Sequence, residues 1–143
     1  MTDPAIVLRK LAALREHATR LARRRPATAE ALRNDVDLQD ALAMSLLVAV
    51  QAALDIALHV VSDEGLGVPA TYAEGFQQLA DNGIVDRGTS DGLGRMAALR
   101  NRIAHGYVSV DVDRIHAEVP AGLAALDRYA AAVASHTDPP GQA

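Results

Sequence analysis

The chain has no cysteine and no tryptophan, and in 143 residues it holds one phenylalanine, three tyrosines and a single lysine. Without thiols, neither disulfides nor thiolate metal sites can form, which fits a cytoplasmic protein. Period-two runs of β-branched and aromatic residues, the signal for strands, are missing. With so few aromatics, the core falls to leucine, alanine and other aliphatics, a composition that favours packed helices. The N-terminus lacks the charged-then-apolar layout of a secretory leader, and Asp3-Pro4 reads as a helix start.

A chain of this length can bury a core without metal or disulfide support. The expectation is one all-α domain over residues 1–136, an antiparallel up-and-down bundle of four to five helices, with a disordered tail at 137–143. Ala41 to Val61 is apolar enough to raise the question of a membrane span. Gln51, Asp55 and His59 interrupt it on one face, and an ionised aspartate facing lipid is costly, so a buried helix of a soluble bundle is the better reading and no membrane partner is expected.

The net charge of −4 conceals a division along the chain. Residues 1–25 are net +5, residues 26–86 net −9, residues 87–107 net +3 and the remainder net −3. Such a protein is not a general nucleic-acid coat, but the first helix and the 87–107 segment could together hold a phosphate chain.

In order, Asp3-Pro4 opens a helix running to about Arg24, with Val7, Leu11, Leu14, Ala18 and Leu21 as its apolar stripe. Its arginines read either as a solvated face with a basic C-terminal turn or as an RNA contact. Thr28 to Asp35 is a connector with room for a helical turn. The second long helix starts near Asp35 or Asp37 and ends near Ser62. Gln51, Asp55 and His59 make a polar line along it at spacings of four, read either as facing Arg100 or as an internal Asp55–His59 pair. Two such ligands fall short of a stable metal site, so no metal and no cofactor are expected.

Gly65-Leu66-Gly67-Val68-Pro69 is a loop, and Thr71-Tyr72-Ala73-Glu74 a capping box for a short helix with Tyr72, Phe76, Leu79 and Ala80 inward. Ile84 to Gly88 reads as a turn, with caps at Thr89 to Asp91 for the next helix and Gly106 as its stop. Asp111 and Asp113 open the last helix, where Pro120 predicts a kink and His136 leads into the tail.

Leu93, Met96, Arg100, Ile103 and Tyr107 recur at spacings of three and four, one buried stripe in which Arg100 stands where a leucine would be expected. A charge on such a stripe needs a partner or a job. Arg95 and Arg102 fall on other faces, as solvated arginines available to RNA. His105 lies about 140° from Arg100 at roughly 100° per residue, unless Gly106 ends the helix and lets it turn. An arginine for a phosphate and a histidine for proton transfer are the minimum for cleaving RNA without a metal, the 2′-hydroxyl attacking to give a 2′,3′-cyclic phosphate. One histidine must then act as both base and acid, or a two-fold dimer must supply two. The competing reading has Arg100 tied to Asp55 and His105 as a helix cap.

Arg100-Asn101-Arg102-Ile103-Ala104-His105-Gly106-Tyr107 resembles the hallmark of HEPN domains, in particular the HepT-type toxins of HEPN/minimal-nucleotidyltransferase toxin–antitoxin pairs. The surroundings are similar too: Ala53-Leu54-Asp55-Ile56-Ala57, then Gly65 to Pro69, then Tyr72 and the Phe76 helix. The likeness covers roughly residues 5–135, with Thr89–Gly94 richer in glycine than the family pattern. It implies an all-helical homodimer with the motif cleft at the interface, acting as a metal-independent endoribonuclease on tRNA or mRNA. By position, Arg100 and His105 would be catalytic and Asn101 supporting. Tyr107 would accept AMP from a cognate nucleotidyltransferase antitoxin, adding charge and bulk beside the motif. Asp55 as a support of Arg100 is inferred from helical spacing alone. The alternative function is a non-catalytic helical subunit that docks a nucleotidyltransferase and presents its substrate.

Overall fold

The computed structural model describes residues 3–106 and 112–137, and among them every regular element is helical. Six helices follow in order: α1 Pro4–Arg24, α2 Ala29–Arg33, α3 Val36–Asp63, α4 Tyr72–Asp81, α5 Arg87–Gly106 and α6 Val112–Thr137. The four long ones form the expected bundle. α2, anticipated only as a possible turn in a connector, is a five-residue helix capped by Thr28, with Leu32 buried beneath it.

Local signals set the helix ends. The Asp3 carboxylate accepts the Ala5 N–H at 2.9 Å with Pro4 in the first turn, and the Asp35 carboxylate accepts the Leu38 N–H at 3.0 Å. Before α4, the Thr71 hydroxyl accepts the Glu74 N–H while the Glu74 carboxylate reaches back to the Ala70 N–H. α5 starts earlier than Thr89–Asp91. Asp86 is its cap, accepting the Thr89 N–H at 2.6 Å, and Arg87 is already helical. The Thr89 backbone and hydroxyl hydrogen bonds, with the more distant Arg128 charge, hold the Asp86 carboxyl below its usual range. Arg128 in turn donates to the Thr89 hydroxyl oxygen at 3.1 Å, tying the start of α5 to α6.

α3 is the central rod. It is long and apolar enough to cross a membrane, yet 61% of its most apolar window is buried against the other helices, the mark of a core helix. Its Leu46, Val50, Ala53, Leu54 and Val60 are almost fully buried, as are Leu14 and Leu21 of α1 and Leu126 and Val133 of α6. Tyr129 is buried within α6, donates its hydroxyl to the Ala53 carbonyl at 2.9 Å, and meets the Phe76 ring edge-to-face at 5.7 Å. Burial pushes that phenol well above its ordinary value.

Gly92, from the glycine-rich stretch, and Gly122 of α6 have a packing role. A Cβ on Gly92 would stand 2.8 Å from the Ala125 Cβ, and one on Gly122 would stand 2.1 Å from the Met96 sulfur. α5 and α6 therefore approach so closely that Ala125 and Met96 fill the space a side chain at Gly92 or Gly122 would need. Pro120 lies inside a continuous α6. That helix runs through Thr137, one residue into the stretch expected to be tail, and His136 is anchored to Glu64 at 2.8 Å. Residues 138–143 lie outside the described residues.

Candidate active site

α3 lies recessed between α1 and α5, and the three helices enclose an open groove of about 400 Å3. Its floor is Leu47, Val48, Gln51, Ala52 and Asp55, one wall is Lys10 and Ala13, and the other is Arg100 and Ala104. The stripe on α5 is as expected, with Leu93, Met96 and Ile103 buried and Arg100 half-buried among them. Tyr107 lies outside the described residues.

Arg100 is held from three sides. One terminal nitrogen donates to the Gln51 side-chain oxygen at 3.0 Å, the other to the Asn101 side-chain oxygen at 3.1 Å, and the guanidinium stands 5.8 Å from the centre of the Tyr72 ring. Its Nε is buried and has no hydrogen-bond partner among the described residues. Arginine has five N–H bonds, so the contacts with Gln51 and Asn101 leave donor capacity for a ligand.

Asp55 does not touch Arg100, and this corrects the expectation that it supports the arginine directly. It accepts from the Gln51 amide nitrogen at 2.9 Å and from Lys10 at 3.2 Å. Gln51 stands between the two charges, its oxygen turned to Arg100 and its nitrogen to Asp55. The chain Lys10–Asp55–Gln51–Arg100–Asn101 therefore balances Asp55 with the lysine and leaves Arg100 oriented but, among the described residues, with no carboxylate upon it. A neutral amide can fix the direction of a guanidinium without cancelling its charge, which suits a site for a phosphate. Nor does Asp55 pair with His59, whose Nε2 instead approaches Asp63 at 3.1 Å.

His105 is not brought to Arg100 within the chain. α5 is helical through Gly106, the residue expected to stop it, so His105 stays within the last turn, exposed on another face and not turned to Arg100. Arg95 and Arg102 are both exposed. Arg95 lines a separate recess against α6 with Glu118 and Ala121, on the far side of α5 from the groove. Two participants, Lys10 and Tyr72, escaped the sequence reading, while Gln51 meets Arg100 as one of the two readings of its polar line had it. Lys10 could not be told from the other basic residues of α1. Tyr72, expected inside, is 39% exposed beside the arginine.

The family described as Ribonuclease HepT-like matches residues 14–133. An mRNA nuclease HepT from Shewanella oneidensis is 33% identical over 81 residues, covering 57% of this chain and 61% of that protein. The chain thus spans about three fifths of the length of the curated relatives it matches. Among solved structures, a tri-AMPylated Shewanella oneidensis HEPN toxin in complex with MNT antitoxin superposes with a TM-score of 0.82 at 26% identity, covering 94% of this chain and 99% of its own. YutE of Bacillus subtilis, a cytosolic protein of unknown function, gives 0.83 at 17% identity over 99% of this chain and 95% of its own, and so bears on the fold alone.

Proposed function

Since the chain belongs to the Ribonuclease HepT-like family, we propose that it is the toxin of a toxin–antitoxin pair, a metal-independent endoribonuclease of the cytoplasm. The observation that carries the reading is Arg100, half-buried at a groove, aimed by Gln51 and Asn101, and without a carboxylate partner among the described residues.

In this reading Arg100 holds the non-bridging oxygens of the scissile phosphate, and the charge that grows on them in the transition state is met by a guanidinium already in position. His105 takes the proton of the 2′-hydroxyl. The 2′-oxygen attacks phosphorus, the bond to the 5′-oxygen breaks, and a protonated imidazole supplies the proton to that leaving oxygen, giving a 2′,3′-cyclic phosphate and a 5′-hydroxyl. Arg100 and the exposed His105 of one chain face different ways, so the reaction calls for a homodimer in which the histidine of each copy reaches the groove of the other. Met44, 59% exposed one turn before the half-buried Leu47 and Val48 of the groove floor, extends their apolar surface on α3 and suits such a contact.

The partner is a minimal nucleotidyltransferase, which transfers AMP from ATP to the Tyr107 phenol with release of pyrophosphate. The added phosphate would compete for Arg100 and so silence the site. The test is induction in cells with and without that partner. Wild-type protein should arrest growth, and Arg100→Ala or His105→Ala should relieve the arrest at equal soluble expression. Intact mass should gain AMP-sized increments with the partner, lost in Tyr107→Phe. Arrest that persists in both motif variants contradicts the assignment.

A further inference from the structure

Of the described aromatic residues, Phe76 and Tyr129 are wholly buried and in contact with each other, while Tyr72 is 39% exposed at the first turn of α4. α4 had an inward face to offer, and Phe76 and Leu79 occupy it. Tyr72 instead lies beside the groove, with the Arg100 guanidinium over its ring at 5.8 Å from the centre and 39% of the residue exposed. The loop leading into it carries another uncovered apolar side chain, Val68, at 92% exposure.

A partly exposed aromatic ring next to an arginine with spare donors is the chemistry that receives a nucleotide of a single strand. The base lies on the ring, and its phosphate goes to the guanidinium. A duplex cannot use such a surface, because its bases are already stacked. We propose that Tyr72 is the base-stacking platform of the site, binding a nucleobase next to the scissile phosphate and so restricting the substrate to unpaired RNA. The proposal rests on the ribonuclease reading and adds a substrate class to it. Stacking tolerates any base, so the platform selects for unpaired structure and leaves base identity to other contacts.

The absence of tryptophan makes this directly measurable. Tyr72→Trp places a lone indole at the platform of the full-length protein. The probe is a fluorescein-labelled, 2′-deoxy-substituted oligonucleotide that cannot be cleaved, with binding read by anisotropy and an unlabelled copy used for indole emission. The expected result is saturable quenching of the indole that tracks binding for a single strand, with little quenching for the same sequence as a hairpin stem or with an abasic core. Tyr72→Leu, which keeps apolar bulk but has no ring, should weaken single-strand binding on the order of tenfold and leave duplex binding unchanged. Anisotropy that saturates without quenching overturns the platform while leaving the ribonuclease reading intact. No binding by any protein form overturns both. Equal losses for single strand and duplex in Tyr72→Leu would make Tyr72 a mere support for Arg100, and would also overturn the platform.

Discussion

The charge arrangement around Arg100 can be inverted by one atom-for-atom change, Gln51→Glu. The glutamine oxygen lies 3.0 Å from an Arg100 terminal nitrogen, so a carboxylate of the same shape would sit directly on the guanidinium. At an effective dielectric near 20, opposite unit charges at about that distance attract by roughly 5 kcal/mol. Arg100 is half-buried, and solvent screening brings the usable part to on the order of 1–2 kcal/mol. A phosphate would have to compete with that attraction, so kcat/KM for RNA should fall about 5- to 30-fold. The fold should tolerate the change, because repulsion from Asp55, 2.9 Å from the amide nitrogen it replaces, is opposed by the new pair with Arg100. Gln51→Met, which removes the hydrogen bond without adding charge, should cost only about threefold. The assay is steady-state cleavage of a fluorogenic oligoribonucleotide, with circular dichroism to confirm the helical fold. Cleavage by Gln51→Glu within twofold of wild type would refute the claim that an uncancelled arginine charge is what the network preserves.

Other consequences concern the scaffold. Tyr129→Phe removes one buried hydrogen bond to the Ala53 carbonyl and should lower stability by about 1 kcal/mol in urea unfolding, with the edge-to-face ring contact retained. Gly122→Ala forces Met96 from its position and should cost about 1–3 kcal/mol, with much of the loss recovered in the double variant with Met96→Ala. Asp86 has a depressed carboxyl, so its contribution is complete above its ordinary value of 3.8 and is lost as pH falls through the lower folded value. Asp86→Asn should therefore be less stable than wild type at neutral pH, and the gap should close in acid unfolding below about pH 4. A gap that stays constant with pH would contradict the cap.

The helices were legible because their ends are written locally. Asp3-Pro4, Asp35 and the Thr71-to-Glu74 box act within one turn of themselves, and the stripes of α1, α5 and α6 follow from spacing alone. The start of α5 was misjudged because Asp86, Thr89 and Asp91 are all plausible caps in sequence. What decides among them is the tie of Thr89 to Arg128, a residue 39 positions away. The site divides the same way. Arg100 stood out as a charge on an apolar stripe, a property of one helix. Which member of the polar line meets it could not be read, because Gln51 and Asp55 project from the same face of α3 and only the position of α1 assigns the carboxylate to Lys10. Tyr72 was placed inside by helical phase, although an arginine from another helix gives its ring a reason to stay at the surface.

The central claim is that Arg100 and His105 cleave RNA through the 2′-hydroxyl. Its most direct test is product analysis of a defined oligoribonucleotide incubated with purified protein in excess chelator, after removal of host nucleases. The expected products are fragments ending in 2′,3′-cyclic phosphate and 5′-hydroxyl, with losses of at least about a hundredfold for Arg100→Ala and for His105→Ala, and no cleavage where the 2′-hydroxyl at the scissile position is replaced by hydrogen. Cleavage of equal rate by wild type and both variants, or cleavage that survives the 2′-deoxy substitution, would contradict it.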